Sequence, residues 1–242
     1  MENSFWIINN QGESYPTLDK DIETEYLIVG AGLTGLHTAH MLSKQNKKII
    51  VVESDKVGYG SSGRNTGKIT SSHGLIYESI SKKYGEEKAR LYYEANEEGL
   101  RLIKDIVKKY NIDCNFEEVP NYIFTQDEDS LKQIKSEYKT CEKLQIPYEY
   151  LNKIEDFPIE IKGALKLDNQ AQFNSKKYMD GLAKVVSSKG IYIYENTPVV
   201  GLEKDKDGYI VKTRNNKTIK AKIVVIASSN IWHDELGLYF TK

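Results

Sequence analysis

Two short apolar runs stand out in an otherwise polar N-terminal quarter. Tyr26-Leu27-Ile28-Val29 ends at a glycine, and Ile49-Ile50-Val51-Val52 ends at Glu53. Continuous runs of this length suit parallel strands buried on both faces. Between them Leu36, Ala39, His40, Met41 and Leu42 fit a short helix, closed by Lys47-Lys48. Strand, helix and strand together make a βαβ unit of about 30 residues, the usual size. Residues 1–24 are polar and read as an irregular arm, with Phe5 and Trp6 as its only large apolar anchors.

The pattern then breaks. Over residues 56–74, Gly58, Gly60, Gly63, Gly67 and Gly74 alternate with Ser, Thr and Asn, and a loop of that length is usually functional or disordered. Residues 82–110 return to helical spacing, with Ile103, Ile106, Val107 and Tyr110 on one face and Leu91, Ala95 and Leu102 extending it. Ile112, Cys114 and Phe116 alternate with polar residues as in a half-buried strand, and residues 121–125 read as its hairpin partner. Leu131, Ile134, Tyr138 and Cys141 form a second helical stripe, and residues 147–172, with Pro147 and Pro158, read as irregular. Asn174-Ser175 can cap a helix whose apolar face is Tyr178, Leu182, Val185 and Val186, with Gly190 ending it. Residues 191–194, 199–202, 209–213 and 223–227 are strand-like, and Asp207-Gly208 is a good turn between two of them.

Composition narrows the function classes. At 242 residues the chain is long enough to bury a core without staples. Lys+Arg 34 against Asp+Glu 35 argues against a strongly basic partner surface for nucleic acid or anionic membrane. Two cysteines, Cys114 and Cys141, exclude a disulfide scaffold and a cysteine-rich metal site; both read as inward-facing core positions. The longest apolar run, Tyr26 to Leu33, is too short to span a bilayer, and the N-terminus lacks a signal-peptide pattern. The expectation is a cytoplasmic protein. Only 4 of the basic residues are Arg, so each Arg gains interest as a bidentate anion contact.

Gly30-Ala31-Gly32-Leu33-Thr34-Gly35 is a G-x-G-x-x-G that follows a strand and opens a helix, the context that gives the motif meaning. The first glycine permits the tight turn. The second lets the backbone approach a pyrophosphate, and the third lets helix and strand pack closely. A diphosphate then meets the free N–H groups of the helix N-terminus. Glu53 ends the second strand 18 residues past Gly35, where a carboxylate accepts hydrogen bonds from an adenosine ribose diol, with Ser54 beside it. The fingerprint alone does not separate FAD from NAD. The following loop, with Ser61, Ser62, Gly63, Arg64, Asn65 and Thr66, gathers hydroxyls, backbone amides and one Arg suited to the second phosphate of an extended dinucleotide.

The stretch from Tyr26 to Gly67 resembles the N-terminal FAD-binding signature of the D-amino-acid oxidase superfamily, which includes glycine and sarcosine oxidases, D-amino-acid dehydrogenases and γ-glutamylputrescine oxidase-like enzymes. Residues 69–77 are similar to one bacterial branch whose members often carry a C-terminal Rieske iron–sulfur domain; the two cysteines here have no histidine neighbours suited to such a site. A second block supports the resemblance: Gln172-Phe173-Asn174, Gly190, residues 195–199, then residues 223–227. The resemblance implies that Val199 contacts adenine through its backbone and that the strand ending at Ala227 returns beside the cofactor. Ala227-Ser228-Ser229 departs from the family's usual Ala-Thr or Ala-Gly type of ending. The resemblance further implies an α/β Rossmann-like FAD-binding domain with a central parallel sheet, residues 1–80 and 170–242, interrupted by part of an α+β substrate domain over 81–169. It implies FAD as cofactor and oxidation of a C–N bond in an amine or amino acid by hydride transfer to flavin.

Catalytic candidates are sparse. His37 and His40 lie three apart on the first helix without a third metal ligand, so no metal site is expected. His73, in the Gly/Ser loop, is the one candidate to orient substrate or adjust the flavin's electrostatics. No Ser-His-Asp or Cys-His site is evident, as suits a reaction whose cofactor takes the hydride. The chain stops at residue 242 in what reads as mid-domain, with Ile231, Trp232, Leu236, Leu238, Tyr239 and Phe240 clustered there. Two rival readings follow: a non-catalytic chain that needs a partner chain or a missing C-terminal half to complete its site, and an NAD-dependent dehydrogenase using the same fingerprint.

Overall fold

The computed structural model describes residues 4–9 and 12–228. The C-terminal apolar cluster, Ser229 and His233 lie outside them. In chain order the elements are α1 (Phe5–Ile8), β1 (Ile22–Val29), α2 (Leu33–Leu42), β2 (Ile49–Val52), β3 (Lys68–Ile69), α3 (Tyr77–Tyr84), α4 (Glu86–Tyr110) and β4 (Glu117–Thr125). There follow α5 (Glu128–Lys143), β5 (Glu149–Leu151), β6 (Gly163–Gln172), α6 (Ser175–Ser188), β7 (Tyr192–Tyr194), β8 (Val199–Asp205), β9 (Gly208–Thr213) and β10 (Thr218–Ile226). Among the described residues two compact units emerge: those within 4–66, 112–114 and 174–228, and those within 67–111 and 115–173. The breaks fall at 66/67 and 173/174, whereas the resemblance implied 80/81 and 169/170. Lys68 and Ile69 pair with Gln172 and Ala171, which draws residues 67–80 into the second unit.

The first unit is built on a six-stranded sheet in the order β7-β2-β1-β10-β9-β8. Its β7, β2, β1 and β10 run parallel, and β9 and β8 return antiparallel. The two apolar runs of the sequence become β1 and β2, in register from Tyr26 opposite Ile49 to Val29 opposite Val52. Leu27, Ile50, Val52, Val211 and Ile219 share one core cluster with Leu18. Strand β1 starts four residues earlier than the apolar run because Ile22 to Thr24 pair with β10. The arm is not wholly irregular. It carries the short α1, and Trp6 Nε1 donates to Asn65 O at 2.7 Å, whereas Phe5 is exposed. Helix α6 forms as its cap predicts: the Asn174 side chain accepts from Lys177 N, and Tyr178, Leu182 and Val186 are buried.

In the second unit, β6 has β4 along one edge, and β3 and β5 also pair with it. Three expectations are corrected here. Residues 112–116 form no strand, and residues 121–125 are the end of one continuous β4 whose partner is β6. Residues 147–172 are irregular only in part, since they hold β5 and β6 and leave residues 152–162 without a strand or helix. The helix expected over 82–110 is two helices, parted at Gly85, whose φ of +91° is open to glycine at little cost. The core of this unit gathers Tyr77, Ala89, Ile134, Cys141, Leu165 and Leu167.

Candidate functional site

A groove of about 590 Å³ opens in the first unit at the C-terminal ends of β1, β2 and β10, where open α/β sheets bind their ligands. The glycine turn forms one wall. Gly30 has φ +109°, and a Cβ built on it would stand 2.7 Å from Ala227 O. The Gly30 amide donates to Val52 O at 2.8 Å, and the Ala227 amide donates to Val29 O at 2.8 Å. The Ala-Ser ending thus packs as closely as the turn demands. Gly35 lies under the turn, where a Cβ would meet Gly30 O at 1.9 Å. Gly32 caps α2, and its Cβ would meet Ser62 Oγ at 2.8 Å. Ser62 Oγ accepts from the Leu33 amide at 3.1 Å. The first amides of a helix have no carbonyl partner within it, so this end of the groove is rich in N–H donors.

Glu53 stands at the end of β2 with its carboxylate turned to the same wall. Oε2 accepts from the Ala31 amide at 2.7 Å, and Oε1 accepts from Ser54 Oγ at 2.9 Å and the Asp55 amide at 3.1 Å. A carboxylate offers about four acceptor positions, so these bonds orient the group and leave capacity on Oε2.

Of the residues singled out from sequence, Gly30, Gly32, Leu33, Thr34, Glu53, Ser54, Ser61, Ser62, Val199 and Ala227 line the groove. Gly35, Gly63, Arg64, Asn65 and Thr66 do not. Gly63 packs on its own loop, where a Cβ would meet Gly58 O at 2.1 Å. Arg64 Nη1 donates back to Gly60 O at 3.1 Å, and Asn65 Nδ2 donates to Ser62 O at 2.8 Å. These side chains brace the loop.

Of a second stretch of the lining, only Val199 was given a role from the sequence. Thr197, Pro198 and Arg214 belong to it beside Val199, and Asp55 and Tyr59 also face the groove. Hydrogen bonds join three separate segments here. The Thr197 amide donates to Glu53 O, the Asn196 amide to Asp55 O and the Arg214 amide to Pro198 O, at 2.8 to 2.9 Å. Asn215 Nδ2 adds a bond to Asn196 O at 3.0 Å. The scarcity of Arg was a signal for Arg214, but its place follows from the β9–β10 turn.

His73 belongs to the second unit. It is exposed, its Nε2 lies 3.2 Å from Asn96 Oδ1, and its ring meets Tyr92 edge-on. His37 and His40 have separate partners: Tyr178 OH at 3.0 Å from His37 Nε2, and Lys189 Nζ at 3.3 Å from His40 Nδ1. Burial pulls His37 below the usual imidazole range. Cys114 and Cys141 are buried free thiols, and burial pushes Cys141 upward, away from thiolate reactivity. Among the described residues no group of three or more His, Cys, Asp or Glu could hold a metal, and no helix is long and apolar enough to cross a membrane.

Comparison with known proteins places this architecture. The model of the DAO family, FAD dependent oxidoreductase, matches residues 25–240. The chain is 33% identical over 238 residues to YhfW of Bacillus subtilis (strain 168), which bears a Rieske 2Fe-2S iron–sulfur name; the match covers 98% of this chain and 46% of that one. It is 26% identical to gamma-glutamylputrescine oxidoreductase of Escherichia coli (strain K12), over 94% of this chain and 54% of the relative. Glycine oxidase from Geobacillus kaustophilus shares the fold with a TM-score of 0.66 at 22% identity, over 85% of this chain and 55% of that structure. The chain spans about half the length of the curated relatives it matches. With its family model covering most of the sequence, this chain belongs to the DAO family of FAD-dependent oxidoreductases.

Proposed function

We propose that the groove of the first unit holds the ADP portion of FAD, and that the protein serves in oxidising a C–N bond of an amine or amino acid. The observation that carries the reading is the glycine turn. Gly30, Gly32 and Gly35 each stand where a Cβ would meet another atom at 2.8 Å or less, and the turn leaves a helix N-terminus facing a groove. Such a cradle suits a diphosphate. In this reading Gly30, Gly32, Leu33, Thr34, Ser61 and Ser62 surround the diphosphate. Glu53 accepts from the adenosine ribose through Oε2, and Val199 lies at the adenine. An acid there also disfavours a 2′-phosphate by charge repulsion. Gly35, Gly63, Asn65 and Arg64 shape the turn and the loop from behind. When bound, FAD supplies the hydride acceptor for converting the C–N bond to an imine, which water then hydrolyses. The amine in the name of the Escherichia coli relative supports that substrate class.

Visible absorption after mixing with FAD and gel filtration tests the cofactor. A retained flavin band is expected, and a colourless protein overturns the reading. Glu53→Gln is expected to weaken FAD about 10- to 100-fold, the scale of one charge-assisted hydrogen bond. Bleaching of the band by a panel of amines and amino acids without oxygen tests the substrate class, and a band that none of them bleaches removes it.

A further inference from the structure

Under the loop that lines the groove lies a lysine that the nucleotide reading does not use. Lys176, near the start of α6, has 3% of its side chain exposed, and its Nζ reaches both carboxylate oxygens of Asp180, one turn on, at 2.5 and 2.7 Å. The same Nζ lies 5.6 Å from the centre of the Tyr59 ring, and Tyr59 lines the groove. Lys56 Nζ lies 5.6 Å from that ring too, from the exposed side of the loop.

The backbone leading into Tyr59 is fixed independently, and beyond it the Gly63 amide donates to Gly60 O at 3.2 Å. The Val57 amide donates to Oε1 of the buried Glu195 at 2.8 Å, and the Gly58 amide donates to Ala31 O at 3.1 Å. Gly58, at φ +70°, is pressed so closely on α6 that a Cβ would stand 2.6 Å from Met179 Cε and 3.3 Å from Lys176 Cδ. With the main chain held, the remaining freedom is the direction of the Tyr59 ring. A buried ion pair is a poor source of stability, because an apolar pair of similar volume often does as well. A cation near an aromatic ring, in contrast, specifies where that ring sits.

We infer that Lys176, neutralised by Asp180, is a positioning residue that sets the Tyr59 ring as a wall for the nucleotide. The inference rests on the FAD reading above. Tyr59 touches the nucleotide, and Lys176 acts only through Tyr59.

The test is calorimetric titration of the full chain with FAD and with ADP, at a temperature well below each variant's unfolding midpoint. Lys176→Met combined with Asp180→Asn removes the cation without stranding a buried carboxylate. It is expected to weaken both ligands about 3- to 30-fold, the range for a desolvated cation–π contact. Tyr59→Leu is expected to weaken them at least as much. Adding the Lys176→Met and Asp180→Asn pair to Tyr59→Leu should then cost less than a further 2-fold. Lys176→Arg should recover most of the affinity. Wild-type affinity in the charge-removed variant, with only a lowered unfolding midpoint, would make the pair merely structural and overturn the inference. An equal loss in the Tyr59→Leu background would also overturn it. Should the charge-removed variant not fold, Tyr59→Leu decides alone, since unchanged affinity there overturns the inference. A wild-type chain that binds neither FAD nor ADP removes the cofactor reading itself, a result distinct from binding without coupling.

Discussion

Strand β2 buries all four of its residues, whereas β4 buries none of its nine. The contrast extends to the units they belong to. In the first, β1 and β2 bring apolar side chains to both faces over Leu27 to Val29 and Ile49 to Val52, and the chain turns at Gly30 and Glu53 where these strands end. In the second, β4 alternates exposed and half-exposed positions, with Tyr122 and Phe124 on its surface. Its interior is threaded by polar groups. Ser71 Oγ donates to Glu97, the Ser71 amide to Gln170 and Tyr148 OH to Ser72 Oγ. The buried Glu137 carboxylate accepts the amides of Tyr77 and Glu78 at the start of α3. Polar groups inside a fold are tolerated when they are satisfied. The first unit buries polar groups as well, among them Lys176, Glu195 and Thr197, and adds to them the hydrogen-bonding groups that line its groove.

The largest expected effect would separate the two. Leu165→Ala opens a cavity in the core of the second unit, where Leu165 is fully buried. It should cost about 2–5 kcal/mol of stability by calorimetry, while FAD affinity in the surviving folded protein stays near the wild-type value. A matching collapse of affinity would erase the distinction. Gly35→Ala comes next. Its methyl would meet Gly30 O, backbone that cannot step aside, so a loss of about 1–3 kcal/mol is expected, together with loss of retained flavin. Asn174→Ala removes the acceptor for the Lys177 amide at the head of α6, and a loss of about 1 kcal/mol with unchanged flavin retention is expected.

The smallest effect is a slope. His37 sits below its ordinary value because burial disfavours its charge. The unfolded chain therefore takes up a proton first as pH falls below about 6.5. Stability held above that value should decline until the folded imidazole also titrates. His37→Gln should flatten this part of a stability-against-pH curve, and an unaltered curve would exclude His37 as its cause.

The same contrast decides what was legible in the sequence. The parallel strands β1 and β2 announce themselves because both faces are apolar, and α6 does so through Asn174 and its stripe. Strand β6 does not, since Gly163 to Gln172 mixes Lys166, Asp168, Asn169 and Gln170 with its apolar residues. It becomes a strand through pairing with β3, β4 and β5. The hairpin expected around residues 112–125 failed for a related reason: β4 finds its partner about 45 residues away, beyond the reach of local pattern. In the groove, the glycine wall is encoded in one contiguous motif. The wall with Thr197 and Arg214 is assembled from segments far apart in the chain. Arg64 was placed by its chemistry alone, and in the structure its Nη1 donates to Gly60 O within its own loop rather than lining the groove.

That assembled wall has a kinetic consequence. The amides of Asn196, Thr197 and Arg214 lie in connecting segments, yet each is bonded to the carbonyl of another segment. Opening one should require the others to part as well, so the three should exchange hydrogen for deuterium together and slowly, on the clock of a strand. The groove would then keep one side already in place before a nucleotide arrives, and binding would not have to order it.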